Sequence, residues 1–188
     1  MRRKMIIVTA ALLVGFVVAL PLWIHTQNAV IEAVTITLGV ALYHFVMRFC
    51  VGALINLIMK NKANPQNAWF KEKGFERGLY KLLRVRRWRK YVPTYSPETF
   101  DPSVKTTEEI VGASCQAEVV HEIIMVLSLL PIAFIPLLGG AAALIITSVL
   151  SMLFDSVFVI LQRYNRPKLL RVMGRFERLT TKREQNEE

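Results

Sequence analysis

The sequence predicts an all-α integral membrane protein, a bundle of four transmembrane helices with a structured amphipathic cytoplasmic loop. Three observations carry that prediction. Hydrophobic residues make up 53% of the 188-residue chain and mean hydropathy is +0.38, more apolar surface than a small water-soluble core absorbs. The apolar residues gather in four runs, about 5–24, 31–59, 119–138 and 141–161, each near the roughly 20 residues a helix needs to cross a bilayer. None of the runs alternates with the dyad period of a barrel strand, so their backbone groups are satisfied within helices.

The first run follows Arg2, Arg3 and Lys4, as the core of a secretory signal would. Its apolar stretch exceeds the roughly 7–15 residues of a signal core, and no small-x-small cleavage pattern follows Trp23. It therefore reads as a retained helix. The second run is interrupted by His44 and Arg48, one turn apart on one face, and the fourth carries Asp155. Charged groups at membrane depth are costly, so Arg48 and Asp155 are expected to form an intrabundle ion pair. The whole chain is expected to be one membrane domain, with a loop at 60–118 and a tail at 162–188.

Lysine and arginine set the orientation. The N-terminus, residues 60–90 and the segment after Gln162 are basic, whereas the links at His25–Ile31 and Gly139–Gly140 carry no lysine or arginine. Both termini and the long loop are thus expected in the cytoplasm of a multi-pass bacterial cell-membrane protein. The net charge of +10 would suggest nucleic acid for a soluble chain. Here the excess lies in KLLRVRRWRK and RYNRPKLLRVMGR, so membrane lipids or a phosphorylated substrate are the expected partners and nucleic acid is not. Cys50 and Cys115 fit neither a zinc spacing nor a disulfide framework. No phosphate-binding glycine loop, nucleophile elbow or internal repeat is visible.

The loop reads as structured. WFKEKGFERGLYKLLRVRRW interleaves Trp69, Phe70, Phe75, Tyr80, Leu82, Leu83, Val85 and Trp88 with cations, the composition of an interfacial helix or helix pair. Gly74 and Gly78 are expected to break it. Pro93, Pro97 and Pro102 then oppose helix and imply an extended excursion. Thr106 or Thr107 can cap the next helix, with Glu108 and Glu109 in its first turn. That helix would carry Glu118 and His121 into the bilayer.

Glu118 and His121 are the leading candidates for chemistry. Spaced i, i+3, they share a helix face, and the carboxylate can orient the ring or accept its proton. Ionisable groups at this depth are by default a hypothesis of function. Glu122 lies about 100° round the helix from His121 and is the weaker candidate, set to pair with Arg163 or Arg166. Pro167 biases Arg166 away from helix, so Asn165 and Arg166 are expected to mark a bend where the last membrane helix emerges.

Three segments in order, FKEKGFERGLYKLLRVRRWRKYVP, AEVVHEI and QRYNRPKLL, resemble the glycosyl-4,4'-diaponeurosporenoate acyltransferase family of staphyloxanthin-type carotenoid glycolipid synthesis. The resemblance covers roughly residues 69–171. This chain departs from the family in a longer, double-spanning N-terminal half and in its proline-rich excursion. The resemblance implies transfer of a fatty acyl group to the primary hydroxyl of a membrane-bound sugar. The matching positions are Glu76, Val85, Arg86, Trp88, Glu118, His121 and Gln162 to Pro167.

Acyl transfer to a hydroxyl needs a base for the alcohol proton and donors for a tetrahedral oxyanion. His121, the only histidine in the three matching segments, suits the base role, and Glu118 could hold its tautomer. Glu76, Arg86, Trp88, Gln162, Arg163, Asn165 and Arg166 are the expected substrate contacts, by arginine forks and amide hydrogen bonds. The expected function is a membrane-embedded O-acyltransferase acting on a lipid-linked sugar acceptor. Its acyl donor would be acyl-CoA or another activated acyl group, with no cofactor and no metal. Two competing readings are a non-catalytic membrane subunit and a lipid-binding or transport protein. A metalloenzyme using His44, Glu118 and His121 lacks a recognisable ligand pattern.

Overall fold

A computed structural model describes residues 2–92, 97–101 and 103–187, and among these the secondary structure is helical throughout. Seven α-helices follow in order: α1 (Arg2–Thr26), α2 (Ala29–Met59), α3 (Glu76–Leu82), α4 (Val85–Trp88), α5 (Thr107–Leu127), α6 (Ile135–Leu138) and α7 (Ala141–Glu187). Single 3₁₀ turns occupy Ala68–Phe70, Arg89–Tyr91, Pro97–Phe100 and Leu130–Phe134. Four stretches are long and apolar enough to cross a membrane: Arg3–Thr26, Ala29–Met59, Thr107–Leu138 and Ala141–Val172. The third is composite, since α5 gives way to the 3₁₀ turn and α6 at Pro131 and Pro136, where the proline rings remove amide donors. The all-α fold with four candidate spans is the one the apolar runs predict.

The chain forms two compact units, and α2, α5 and α7 contribute to both. The first comprises residues 1–55 and 120–157. Its core is thin, with Ala19, Val40, Met47, Val51, Ile124 and Leu144 buried. Its outer faces are apolar: Val14, Val30, Val126, Leu137 and Leu150 are all exposed. Such a surface belongs against lipid, where side chains need no water-facing polarity. Hydroxyls within the helices are satisfied locally, as Thr9, Thr35, Thr37 and Thr147 donate to the carbonyls of Met5, Ile31, Ala33 and Ala143. Close packing of α1 on α2 needs a small residue, because a Cβ on Gly39 would lie 2.9 Å from the Phe16 ring. The α1–α2 turn is set by Gln27, at φ 51°, and by the Asn28 side chain, which accepts from the Val30 amide at 2.8 Å.

The second unit comprises residues 56–119 and 158–188. Lys60 and Asn61 both adopt positive φ and end α2 in a left-handed turn. The turn lies against α5 at Gly112, where a Cβ would meet the Asn61 carbonyl oxygen at 2.3 Å. The Gln116 side chain fastens the same contact, accepting from Asn61 N–H at 2.6 Å and donating to Asn56 Oδ1 at 3.2 Å. From Ile110 to Gln116 every residue of α5 is buried, polar Ser114 and Gln116 included. Its start is a reciprocal capping box: the Glu109 amide donates to Thr106 Oγ1 at 3.2 Å, and the Thr106 amide to Glu109 at 2.9 Å.

Three expectations for this unit are corrected. Gly78 does not interrupt the amphipathic segment, because it lies inside α3. Gly74 does lie in a break, the non-helical stretch 71–75 before α3, and a second break falls at Arg84, at φ 50°, whose amide donates to the Lys81 carbonyl at 3.1 Å. Residues 97–100 form a 3₁₀ turn in place of extended chain, while Pro93 and Pro102 lie outside the described residues. Finally, α7 passes through Pro167 and runs to Glu187, so Asn165 and Arg166 are helical and do not end the segment. Proline costs one amide donor in the ladder, and helices continue past it when the surrounding turns are held.

Candidate active site

Each unit carries a buried cluster of charged side chains among the described residues. In the first, α7 brings Asp155, 1% exposed, against α2 and α5. One carboxylate oxygen lies 2.9 Å from His121 Nδ1, and the other pairs with the Arg48 guanidinium. Arg48 also donates to Ser151 Oγ at 2.8 Å and to the His44 carbonyl at 3.0 Å. Ser151 in turn is 2.9 Å from the hydroxyl of Ser128, and both serines are buried. On α7, residues 148, 151 and 155 are three to four apart, so one face presents all three polar groups. The ion pair expected of Arg48 and Asp155 is therefore present, and it holds a third member, His121.

Nδ1 of the ring is thus committed to a buried carboxylate. The His121 side chain is 23% exposed, against 1% for Asp155. A buried acid behind a more accessible imidazole is the arrangement of a general base with its orienting partner.

The cluster of the second unit has a different character. Glu118, fully buried on α5, forms ion pairs with two arginines of α7: Arg163, at 3.0 Å, and Arg166. Arg163 also pairs with Glu76 of α3 and donates to the Trp69 carbonyl at 2.8 Å. Arg166 donates to the Phe70 carbonyl at 2.7 Å and stacks over the Phe70 ring at 4.9 Å. Tyr80 donates to the second Glu76 oxygen at 2.7 Å. Burial first, and then that hydrogen bond to a carboxylate, push the Tyr80 phenol well above its ordinary range, so it stays a donor. Two carboxylates against two guanidiniums leave the cluster neutral, and the arginine forks are spent on protein acceptors. Its geometry ties α3, α5, α7 and the Trp69–Phe70 turn together.

The residues singled out by sequence thus divide. Glu76, Glu118, Arg163 and Arg166 are gathered in one cluster. Gln162 accepts from Ser114 at 2.8 Å, and Asn165 accepts from exposed Arg89 at 3.1 Å. Arg86 is exposed on α4, and the Trp88 indole donates to the Leu83 carbonyl at 2.8 Å. The carboxylate holding His121 Nδ1 is Asp155 where Glu118 was expected, and the Glu118 carboxylate is instead paired with Arg163 and Arg166. The sequence signal for Asp155 was its mere presence in an apolar run. Ser128 and Ser151 carried no signal, since single serines are common in membrane helices. Among the described residues, no three His, Cys, Asp or Glu side chains converge as metal ligands do.

Four helices long and apolar enough to cross a membrane, and a buried His–Asp pair inside one unit, describe a helical protein of the membrane type. The chain belongs to the glycosyl-4,4'-diaponeurosporenoate acyltransferase family, whose pattern matches residues 66–175. It is accordingly an acyltransferase, and the matched region takes in α3 to α6, most of α7 and both clusters' α5 and α7 residues. No curated protein and no solved structure gives a significant match.

Proposed function

We propose that the protein transfers a fatty acyl group from an activated donor to a hydroxyl of a membrane glycolipid, of the carotenoid glycoside type or similar, at the cytoplasmic leaflet. The observation that carries the chemistry is the 2.9 Å contact between His121 Nδ1 and buried Asp155. Nε2 takes the proton of the acceptor alcohol as its oxygen attacks the acyl carbonyl. The tetrahedral intermediate then collapses, the bond to the donor's leaving group breaks, and the imidazolium returns its proton to that group. Asp155 stabilises the transient imidazolium, and Arg48 keeps the carboxylate from rotating away. The second unit's arginines serve as architecture in this reading. The long acceptor chain reaches His121 laterally from the bilayer.

The test is acyl transfer by the purified chain in nanodiscs, from acyl-CoA to a long-chain alkyl glycoside, with assembly followed by size exclusion. Removal of a general base costs on the order of 10²–10⁴ in rate, so His121→Ala abolishes turnover while eluting like the parent. Wild-type turnover in His121→Ala refutes the reading.

A further inference from the structure

We propose that His44 is a ligand-facing residue of the first unit, binding a hydroxyl of the sugar headgroup within the membrane-spanning helices. The inference rests on the acyl-transfer reading and adds the element that holds the acceptor. His44 is only 5% exposed, yet neither Nδ1 nor Nε2 has a hydrogen-bond partner among the described residues. The charged groups beside it are engaged: fully buried Asp155 by Arg48 and His121, and the less buried Arg48 by Asp155, Ser151 and the His44 carbonyl. Ser148 is fully buried and its Oγ is likewise unpartnered. It precedes Ser151 by one turn and Asp155 by two, hence lies on the face of α7 that carries the cluster.

Two polar side chains at membrane depth without partners are costly, by about 1–3 kcal/mol for each unsatisfied group, and such groups mark function by default. The chemistry of the ligand follows from theirs. A neutral imidazole offers one donor and one acceptor, and a serine hydroxyl offers both. The charges nearest His44, Arg48 and Asp155, already compensate each other, so neither an anion nor a cation gains from the site. A neutral group that donates and accepts together is a hydroxyl, and a glycoside carries several. His44 is thus assigned as a positioning residue for the acceptor, separate from the base.

The experiment uses the full chain in nanodiscs and a radiolabelled long-chain alkyl glucoside, measured by equilibrium binding and by steady-state transfer. His44→Phe keeps a planar ring and removes both nitrogens; it is expected to raise Kd and KM about tenfold, the equivalent of one to two hydrogen bonds, with kcat within about threefold. His44→Gln, which still donates and accepts, is expected to recover part of the binding. In parallel, the wild-type chain labelled with ¹⁵N-histidine, which has three histidines, is titrated with the glucoside, and the His44 ring signal is expected to shift. That readout needs no variant to fold. Unchanged glucoside binding in His44→Phe, or an unmoved His44 signal at saturating glucoside, overturns the proposal. Binding is scored without turnover, so the two readings fail separately. Loss of transfer in His121→Ala with His44-independent binding sinks only this one, whereas His44-dependent binding by a chain that transfers nothing sinks only the acyl-transfer mechanism.

Discussion

Neutralising Glu118 separates architecture from catalysis. The carboxylate is fully buried and faces Arg163 and Arg166, whose side chains are 11% and 3% exposed. In Glu118→Gln the cluster goes from neutral to a net single positive charge. Arg163 keeps Glu76 and the Trp69 carbonyl, so the deficit settles on Arg166, left with the Phe70 carbonyl and ring. Removing one partner of a buried pair costs about 3–5 kcal/mol, a large part of the roughly 5–15 kcal/mol that holds a domain together. At about 2–4 °C per kcal/mol for a chain of this size, the melting midpoint of the purified protein in detergent falls by roughly 10 °C. Acyl transfer per folded molecule stays near wild type. The double variant Glu118→Gln, Arg166→Met removes the stranded charge and recovers more than about 1 kcal/mol, the coupling expected of contacting groups. A midpoint within 1–2 °C of wild type by this rough scale, together with a hundredfold slower transfer, would show that Glu118 acts on the reaction and that its arginine pairs are incidental.

Asp155→Asn keeps the shape behind His121 but removes the charge that stabilises an imidazolium; transfer per folded molecule is expected to fall by at least about a hundredfold, and a loss under threefold would contradict the base assignment. Gly112→Ala forces a Cβ to within 2.3 Å of the Asn61 carbonyl oxygen, an overpacking cost of about 1–3 kcal/mol read as a lower midpoint. Gly52→Ala, with nothing within 4 Å of the added carbon, is the control and leaves stability unchanged or slightly raised. The orientation drawn from charge is checked in cells with Cys50 and Cys115 replaced: Thr26→Cys is expected to react with an impermeant thiol reagent from outside and Ser96→Cys to be protected, and the opposite pattern reverses the topology.

What the sequence determined by itself is whatever depends on neighbours along the chain. Four apolar runs of bilayer length become four candidate spans because a helix satisfies its own backbone, and a cap at Thr106 or Thr107 was legible, the structure choosing Thr106. Family membership was legible for the same reason, in three short segments kept in order. The second unit's members were legible as residues, Glu76, Glu118, Arg163 and Arg166, while their mutual neutralisation was not. Tertiary structure alone decided the pairings. His121 could be matched from the sequence only to its helical neighbour, and the carboxylate on its Nδ1 arrives from α7, 34 residues away. Arg84 illustrates the same limit at short range, since a non-glycine residue at φ 50° separates α3 from α4 while Gly78, expected to break the segment, lies inside α3. The physical reason is that periodicity says which face a side chain occupies, but the partner across that face is chosen by how helices distant in sequence pack, and the charge balance inside a membrane makes that choice decisive.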